Sequence, residues 1–177
     1  MSRLLFTTLV ALVAAGRLAE LSLAARHRRA LLSRGAREVG AGHYPVMVAV
    51  HAGLLVAAPL EVWLLQRPFV PALGWSMAGL VAAAMAVRYW VIATLGERWT
   101  TRILVLPGAP RIRSGPYRWL RHPNYVAVAV EVVALPLVHA AWGTAVAAGV
   151  ANLLVLAVRI RAEDRALEEA SAPAPRS

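Results

Sequence analysis

Eleven consecutive residues, Gly115-Pro116-Tyr117-Arg118-Trp119-Leu120-Arg121-His122-Pro123-Asn124-Tyr125, bring together arginines, aromatic rings, an amide and a histidine. Side chains of these types bind a small charged molecule: arginine and histidine meet carboxylates, and ring faces meet cations. The apolar run that follows carries one carboxylate, Glu131. Apolar flanks disfavour its charged form, which makes it the first candidate for a general base. His51, inside another apolar run, is the second. Further on, Arg159 and Glu163 stand four residues apart, on one face of any helix that holds them. A polar site pressed against a greasy segment suits an enzyme whose soluble cofactor meets a lipophilic substrate at a bilayer surface.

The rest of the chain supplies the greasy setting. Of 177 residues, 59% are hydrophobic, and the mean hydropathy of +0.59 points to a membrane protein. The absence of cysteine excludes disulfides, thiolate metal sites and cysteine nucleophiles. No zinc signature, nucleotide-binding glycine pattern or serine triad is present, and no metal is expected. The net charge of +10 comes from arginines placed between apolar runs rather than on one soluble face. Anionic lipid is therefore the expected partner, and nucleic acid is not.

Five runs are long and apolar enough to cross a core about 30 Å thick: residues 4–24, 46–66, 72–95, 123–141 and 143–160. The fold expected is all-α and polytopic, with three amino-terminal helices in 1–95, a basic loop at 26–43 and a catalytic region in 96–170. The last two spans form a tight hairpin, Pro136 kinks the fourth, and 171–177 is a disordered tail. Five arginines in 26–37, six in 96–122 and four from Arg159 onward lie on one side, with Arg3 and Arg67 on the other. This places the amino terminus outside a cell's inner membrane and the loops and carboxyl end in the cytoplasm. The arginines after the first run read as stop-transfer, which argues against a cleaved signal peptide.

Seven titratable residues fall within the spans: Arg17, Glu20, His51, Glu61, Arg88, Glu131 and His139. Each costs at least about 2.5 kcal/mol at a bilayer centre if left facing lipid. Depth along the helices gathers Arg17, Glu20, His51, Arg88 and Glu131 beneath the arginine-rich loops, as if around one cavity. Plainer roles compete: an Arg17–Glu20 ion pair tying helices, an Arg88 that snorkels, a packing role for His51. Glu61 and His139 are near enough to the outer edge to be interfacial.

The loop 96–122 carries two Pro-Gly or Gly-Pro turn signals and a short apolar run at 103–106, so it should fold back on itself. The carboxyl end continues the fifth helix out of the membrane and would swing Glu163 over His122 and Tyr125. Together, the Gly115–Tyr125 stretch and Arg159-x-x-x-Glu163-Asp164 resemble the isoprenylcysteine carboxyl methyltransferase family over roughly 91–169. Arg17-Leu18-x-Glu20, Gly42-His43-Tyr44-Pro45, Leu95-Gly96-x-x-Trp99-Thr100-Thr101-Arg102 and Glu131-x-x-x-Leu135-Pro136 are similar to a bacterial subgroup. Members of that subgroup are encoded beside type III polyketide synthases and O-methylate long-chain alkylpyrones or alkylresorcinols.

The resemblance implies S-adenosylmethionine as cofactor, held by Tyr117, His122, Asn124, Tyr125 and Glu163, with Ala109 and Ile112 in an aligned backbone stretch. Arg159 matches a substrate-contacting position. Glu131 within the fourth span, and the small number of spans, depart from the eukaryotic prenylcysteine enzymes and argue against prenylated proteins as acceptors. Carboxyl methylation of an isoprenylcysteine-type substrate, phospholipid N-methylation, NADPH-dependent reduction and a non-catalytic scaffold are the rival readings. Bound cofactor separates the last two from the methyltransferases.

Overall fold

The computed structural model describes residues 1–171, with side chains through Glu168. Five helices hold most of the chain: α1 (Arg3–Ser33), α2 (Tyr44–Leu64), α3 (Pro71–Leu95), α4 (Pro123–Leu137) and α5 (Trp142–Ser171). Their starts follow from local chemistry. The Ser2 hydroxyl accepts from Leu5 N at 3.2 Å to cap α1. A proline occupies the first turn of α2, α3 and α4, where its missing N–H costs nothing.

Four of the five helices, α1, α2, α3 and α5, are long and apolar enough to cross a membrane. Leu12, Leu18, Val56, Leu60, Leu80 and Leu154 stand exposed along them, a surface suited to lipid and not to water. The expected fourth span is shorter than 123–141, because α4 has only 15 residues, about 22 Å of helix. Pro136 lies in its last turn, and Ala140 then takes a positive φ of 54°. The proline thus ends the helix where a mid-span kink was expected. Ten of the 15 residues of α4 are buried, packed chiefly against α3 and α5, so its neighbours shield it from lipid.

Two further boundaries differ from expectation. Arg26, Arg28 and Arg29 lie on α1, which runs to Ser33, and not in a loop; arginine is a good helix former. The tail from Ser171 lies outside the described residues, save for Ser171 itself, which ends α5. An all-α reading also omits a small antiparallel ribbon, β1 (Arg37–Val39) with β2 (Ile103–Val105), in register Arg37↔Val105, Glu38↔Leu104 and Val39↔Ile103. The ribbon ties the α1–α2 connection to the α3–α4 loop, which folds back as the turn signals require.

The core lies where α1, α2, α3 and α4 meet, around Phe6, Val62, Leu135 and Val138. Deeper polar residues pair with one another. Glu20 Oε2 accepts from Arg17 at 2.7 Å and from Arg88 at 2.8 and 2.6 Å, and Arg17 also donates to Glu131 Oε2 at 3.0 Å. Arg88 is buried in this network, so it does not snorkel. At the opposite end, Glu61 accepts from Arg67 and from the N–H groups of Gly143 and Thr144, capping α5. His139 is 2% exposed between the rings of Phe6 and Phe69 and is not interfacial.

Candidate active site

The loop ends of α3, α4 and α5 and the strand β2 surround one cleft. Tyr117, His122, Asn124, Tyr125, Arg159 and Glu163 all line it. Local conformation explains how the turn before α4 enters it. Gly115 has φ +55°, and a Cβ there would meet Thr94 Oγ1 at 2.3 Å. Only glycine lets this turn pack so closely on α3. Tyr117 N then donates to Ser114 O at 3.2 Å. His122, at φ −131° and ψ 63°, leaves the helical region before Pro123, which starts α4 and carries Asn124 and Tyr125 into the wall.

Helix α5 supplies the facing wall. Arg159 and Glu163, one turn apart, both reach the Tyr125 hydroxyl: Arg159 Nε donates to it at 2.8 Å, and it donates to Glu163 Oε2. The Arg159 guanidinium also lies over the Tyr125 ring, 5.6 Å from its centroid. His122 stacks on that ring at 5.4 Å and 17°, and its Nε2 is 3.2 Å from Asp164 Oδ1. Asp164 in turn pairs with Arg121 at 3.0 Å. Burial, then the Glu163 carboxylate, push the Tyr117 phenol up to about 12. Tyr117 is therefore a neutral ring with an O–H at any physiological pH.

The floor of the cleft comes from residues 98–105, whose backbone is pinned from both sides. Thr101 O accepts from Arg159 at 2.7 Å, and Trp99 O accepts from His27 Nδ1 at 2.9 Å. The Arg102 side chain turns away, over the Tyr44 ring at 4.1 Å, and donates to Glu38 on β1. Glu38 also accepts from Arg28 at 2.7 Å. Burial raises the Glu38 carboxyl, but the Arg102 and Arg28 bonds outweigh it and hold it below the usual carboxylate range.

Not every sequence candidate sits here. Ala109 and Ile112 do not line the cleft; Ala109 N closes a turn onto Leu106 O at 3.2 Å. Glu131 and His51 are also outside the lining. Glu131 stands seven residues after Asn124, on the same face of α4 and about 10 Å further along its axis. Its Oε2 is held by Arg17, while its Oε1 has no hydrogen bond among the described residues. His51 Nδ1 lies 2.8 Å from Met47 O. Conversely, Trp99 to Arg102, Glu38 and Asp164 belong to the cleft or its frame, although sequence alone assigns them no site role. The strings Trp99-Thr100-Thr101-Arg102 and Glu163-Asp164 were visible, but Glu38 left no signal beyond being the lone acid in a basic stretch.

One atom of the cleft wall asks for a ligand. Asn124 Oδ1 is buried without a hydrogen-bond partner among the described residues, a state native proteins rarely leave unanswered. A cleft with such a wall, formed by the ends of membrane helices, matches what comparison with known proteins returns. Residues 77–169 match the isoprenylcysteine carboxyl methyltransferase family. The uncharacterized protein YpbQ of Bacillus subtilis (strain 168) is 36% identical over 168 residues, 94% of this chain and 99% of that one. An uncharacterized protein of Haemophilus influenzae (strain Rd) is 33% identical, covering 89% of this chain and 91% of its own. No solved structure matches. The chain belongs to the isoprenylcysteine carboxyl methyltransferase family, multi-pass membrane methyltransferases that use S-adenosylmethionine.

Proposed function

We propose that this protein binds S-adenosylmethionine in the cleft and O-methylates a lipophilic small molecule, a long-chain alkylpyrone or alkylresorcinol, that arrives through the bilayer. The orphaned Asn124 Oδ1 beside the Tyr125–Glu163–Arg159 cluster carries this reading. The residues present fit the cofactor. Glu163 can accept from the ribose hydroxyls, Asn124 from the amino group of the adenine or methionyl part, and the neutral rings of Tyr117 and Tyr125 present faces to a cation. His122 meets the methionyl carboxylate, and Arg159 turns the acceptor toward the cofactor. When bound, S-adenosylmethionine supplies a methyl group on a sulfonium centre.

The chain's own part is to position the reactants and remove a proton. A phenol, with a pKa of about 10, needs a base at neutral pH. Glu131, with its free Oε1 on the Asn124 face of α4, takes the acceptor hydroxyl's proton. His51 is the alternative: with Nδ1 donating to Met47 O, the neutral ring leaves Nε2 as an acceptor. The cleft and its arginine-rich loops face the cytoplasm of the inner membrane. The acceptor class also implies a functional link to a type III polyketide synthase.

Transfer of labelled methyl from S-adenosylmethionine to a synthetic alkylresorcinol by the purified protein tests the reading. Glu131→Gln should bind cofactor normally and lose turnover of the phenol. Full turnover in that variant, with loss in His51→Ala, would move the base to His51. Methyl transfer to phosphatidylethanolamine in place of the phenol would overturn the O-methylation.

A further inference from the structure

Beside the cofactor cleft, and sharing Tyr117 with it, lies a second cleft lined by Arg111, Arg113, Arg118, Arg121 and Trp119. Among the described residues, no carboxylate lies within ion-pair reach of Arg111, Arg113 or Arg118, and all three are exposed. Arg121 alone is shared, with Asp164 at 3.0 Å. Converging guanidinium groups without counter-charges repel one another unless an anion joins them. Nothing in the proposed methyl transfer uses them.

The same turn is also apolar. Trp119 is 69% exposed, and Leu120 beside it is also exposed. The Trp119 ring packs 5.6 Å from Trp90 in the last turns of α3, which fixes the turn at the level where that membrane helix ends. Aromatic rings at this depth sit among lipid headgroups. A soluble anion would gain nothing from an outward tryptophan and leucine, whereas a lipid presents its phosphate and its acyl chains together.

We infer that the Arg111–Arg113–Arg118 cleft is a binding site for the phosphodiester of an anionic phospholipid, with Trp119 and Leu120 inserted beside its chains. The guanidinium groups hold the phosphate by charge-assisted hydrogen bonds. Because Tyr117 belongs to both clefts, the lipid buttresses the turn that forms one wall of the cofactor site.

The test uses the full chain in mixed micelles holding equal phosphatidylglycerol and phosphatidylcholine, with retained lipid read by native mass spectrometry. Wild type should retain phosphatidylglycerol preferentially. The Arg111→Gln/Arg113→Gln/Arg118→Gln variant should lose that preference by about 100-fold. A variant with the same charge change elsewhere, Arg26→Gln/Arg29→Gln/Arg161→Gln, should keep it. Equal retention of both lipids by wild type, equal loss in both variants, or displacement by millimolar inorganic phosphate would each overturn the site. Should the first variant fail to fold, the folded Trp119→Phe chain decides. Brominated phosphatidylglycerol should quench wild-type fluorescence more than brominated phosphatidylcholine does, and the excess should vanish in Trp119→Phe. An excess that persists contradicts the proposal. None of these readouts needs the cofactor, so they stand or fall apart from the methyltransferase reading.

Discussion

Arg159 on α5 donates its Nε to the Tyr125 hydroxyl at the start of α4, at 2.8 Å. Because the same hydroxyl donates to Glu163, one phenol O–H links both charges that α5 sends into the cleft. Removing it should unbalance both.

Tyr125→Phe keeps the ring that stacks on His122 but leaves the Arg159 Nε and Glu163 Oε2 without their shared partner. Such an orphaned buried group costs about 1–3 kcal/mol. S-adenosylhomocysteine affinity should fall about tenfold or more, with little change in the helical content seen by circular dichroism. Unchanged affinity would show that the cluster is structural only.

Glu38 should act on the cleft from outside it, through Arg102 and the strand pairing under residues 98–105. Its folded pKa lies below the usual carboxylate value. The latch is therefore fully formed above the unfolded value of about 4.5 and is lost as pH falls through the folded one. Cofactor affinity of wild type should decline in that acid window. Glu38→Gln should bind more weakly at neutral pH and decline less steeply across that window; an identical acid decline in the variant would remove Glu38 from the latch.

Tyr117 offers an alkaline counterpart. With its phenol held at about 12, the folded state gains stability below the unfolded value of about 10 that is lost as pH rises toward 12. Ultraviolet titration should show a late tyrosine step near that value, absent in Tyr117→Phe. Burial is the larger cause and the Glu163 charge the second, so Glu163→Gln should bring the step only part of the way back. No movement in Glu163→Gln would mean that Tyr117 does not sense that carboxylate.

The buried Arg88–Glu20 pair has a different signature. Arg88→Met should destabilise the detergent-purified protein by about 1.5–3 kcal/mol, since the buried Glu20 carboxylate loses two of its three hydrogen bonds and keeps only the one from Arg17. Arg88→Met/Glu20→Leu should recover much of that in thermal melts. A single variant that melts like wild type would mean that the network carries little of the fold.

The residues of the cleft were easier to read than its frame. Arg159 and Glu163 share a face by helical spacing alone, and the Gly115–Tyr125 string announces its chemistry by composition. Glu38 and Arg102 meet across 64 positions through three-residue strands, too short to show a period of two. Arg88 and Glu20, 68 apart, looked like a snorkelling cation and half of a local pair, because sequence gives helix faces but not which faces meet. Hydropathy overstates the fourth span because the apolar run continues through Ala141 while the helix ends at Leu137. Its end is set by Pro136 and the positive φ of Ala140, a backbone choice that hydropathy does not record.

Calorimetric titration of S-adenosylhomocysteine into the detergent-purified protein bears most directly on the cleft, with His122→Ala and Glu163→Ala measured alongside. Binding by wild type that both substitutions abolish, in proteins that remain folded, is the expected result. Absence of binding to folded wild type, with NADPH bound in its place, would contradict the cofactor assignment and with it the role given to each residue of the cleft.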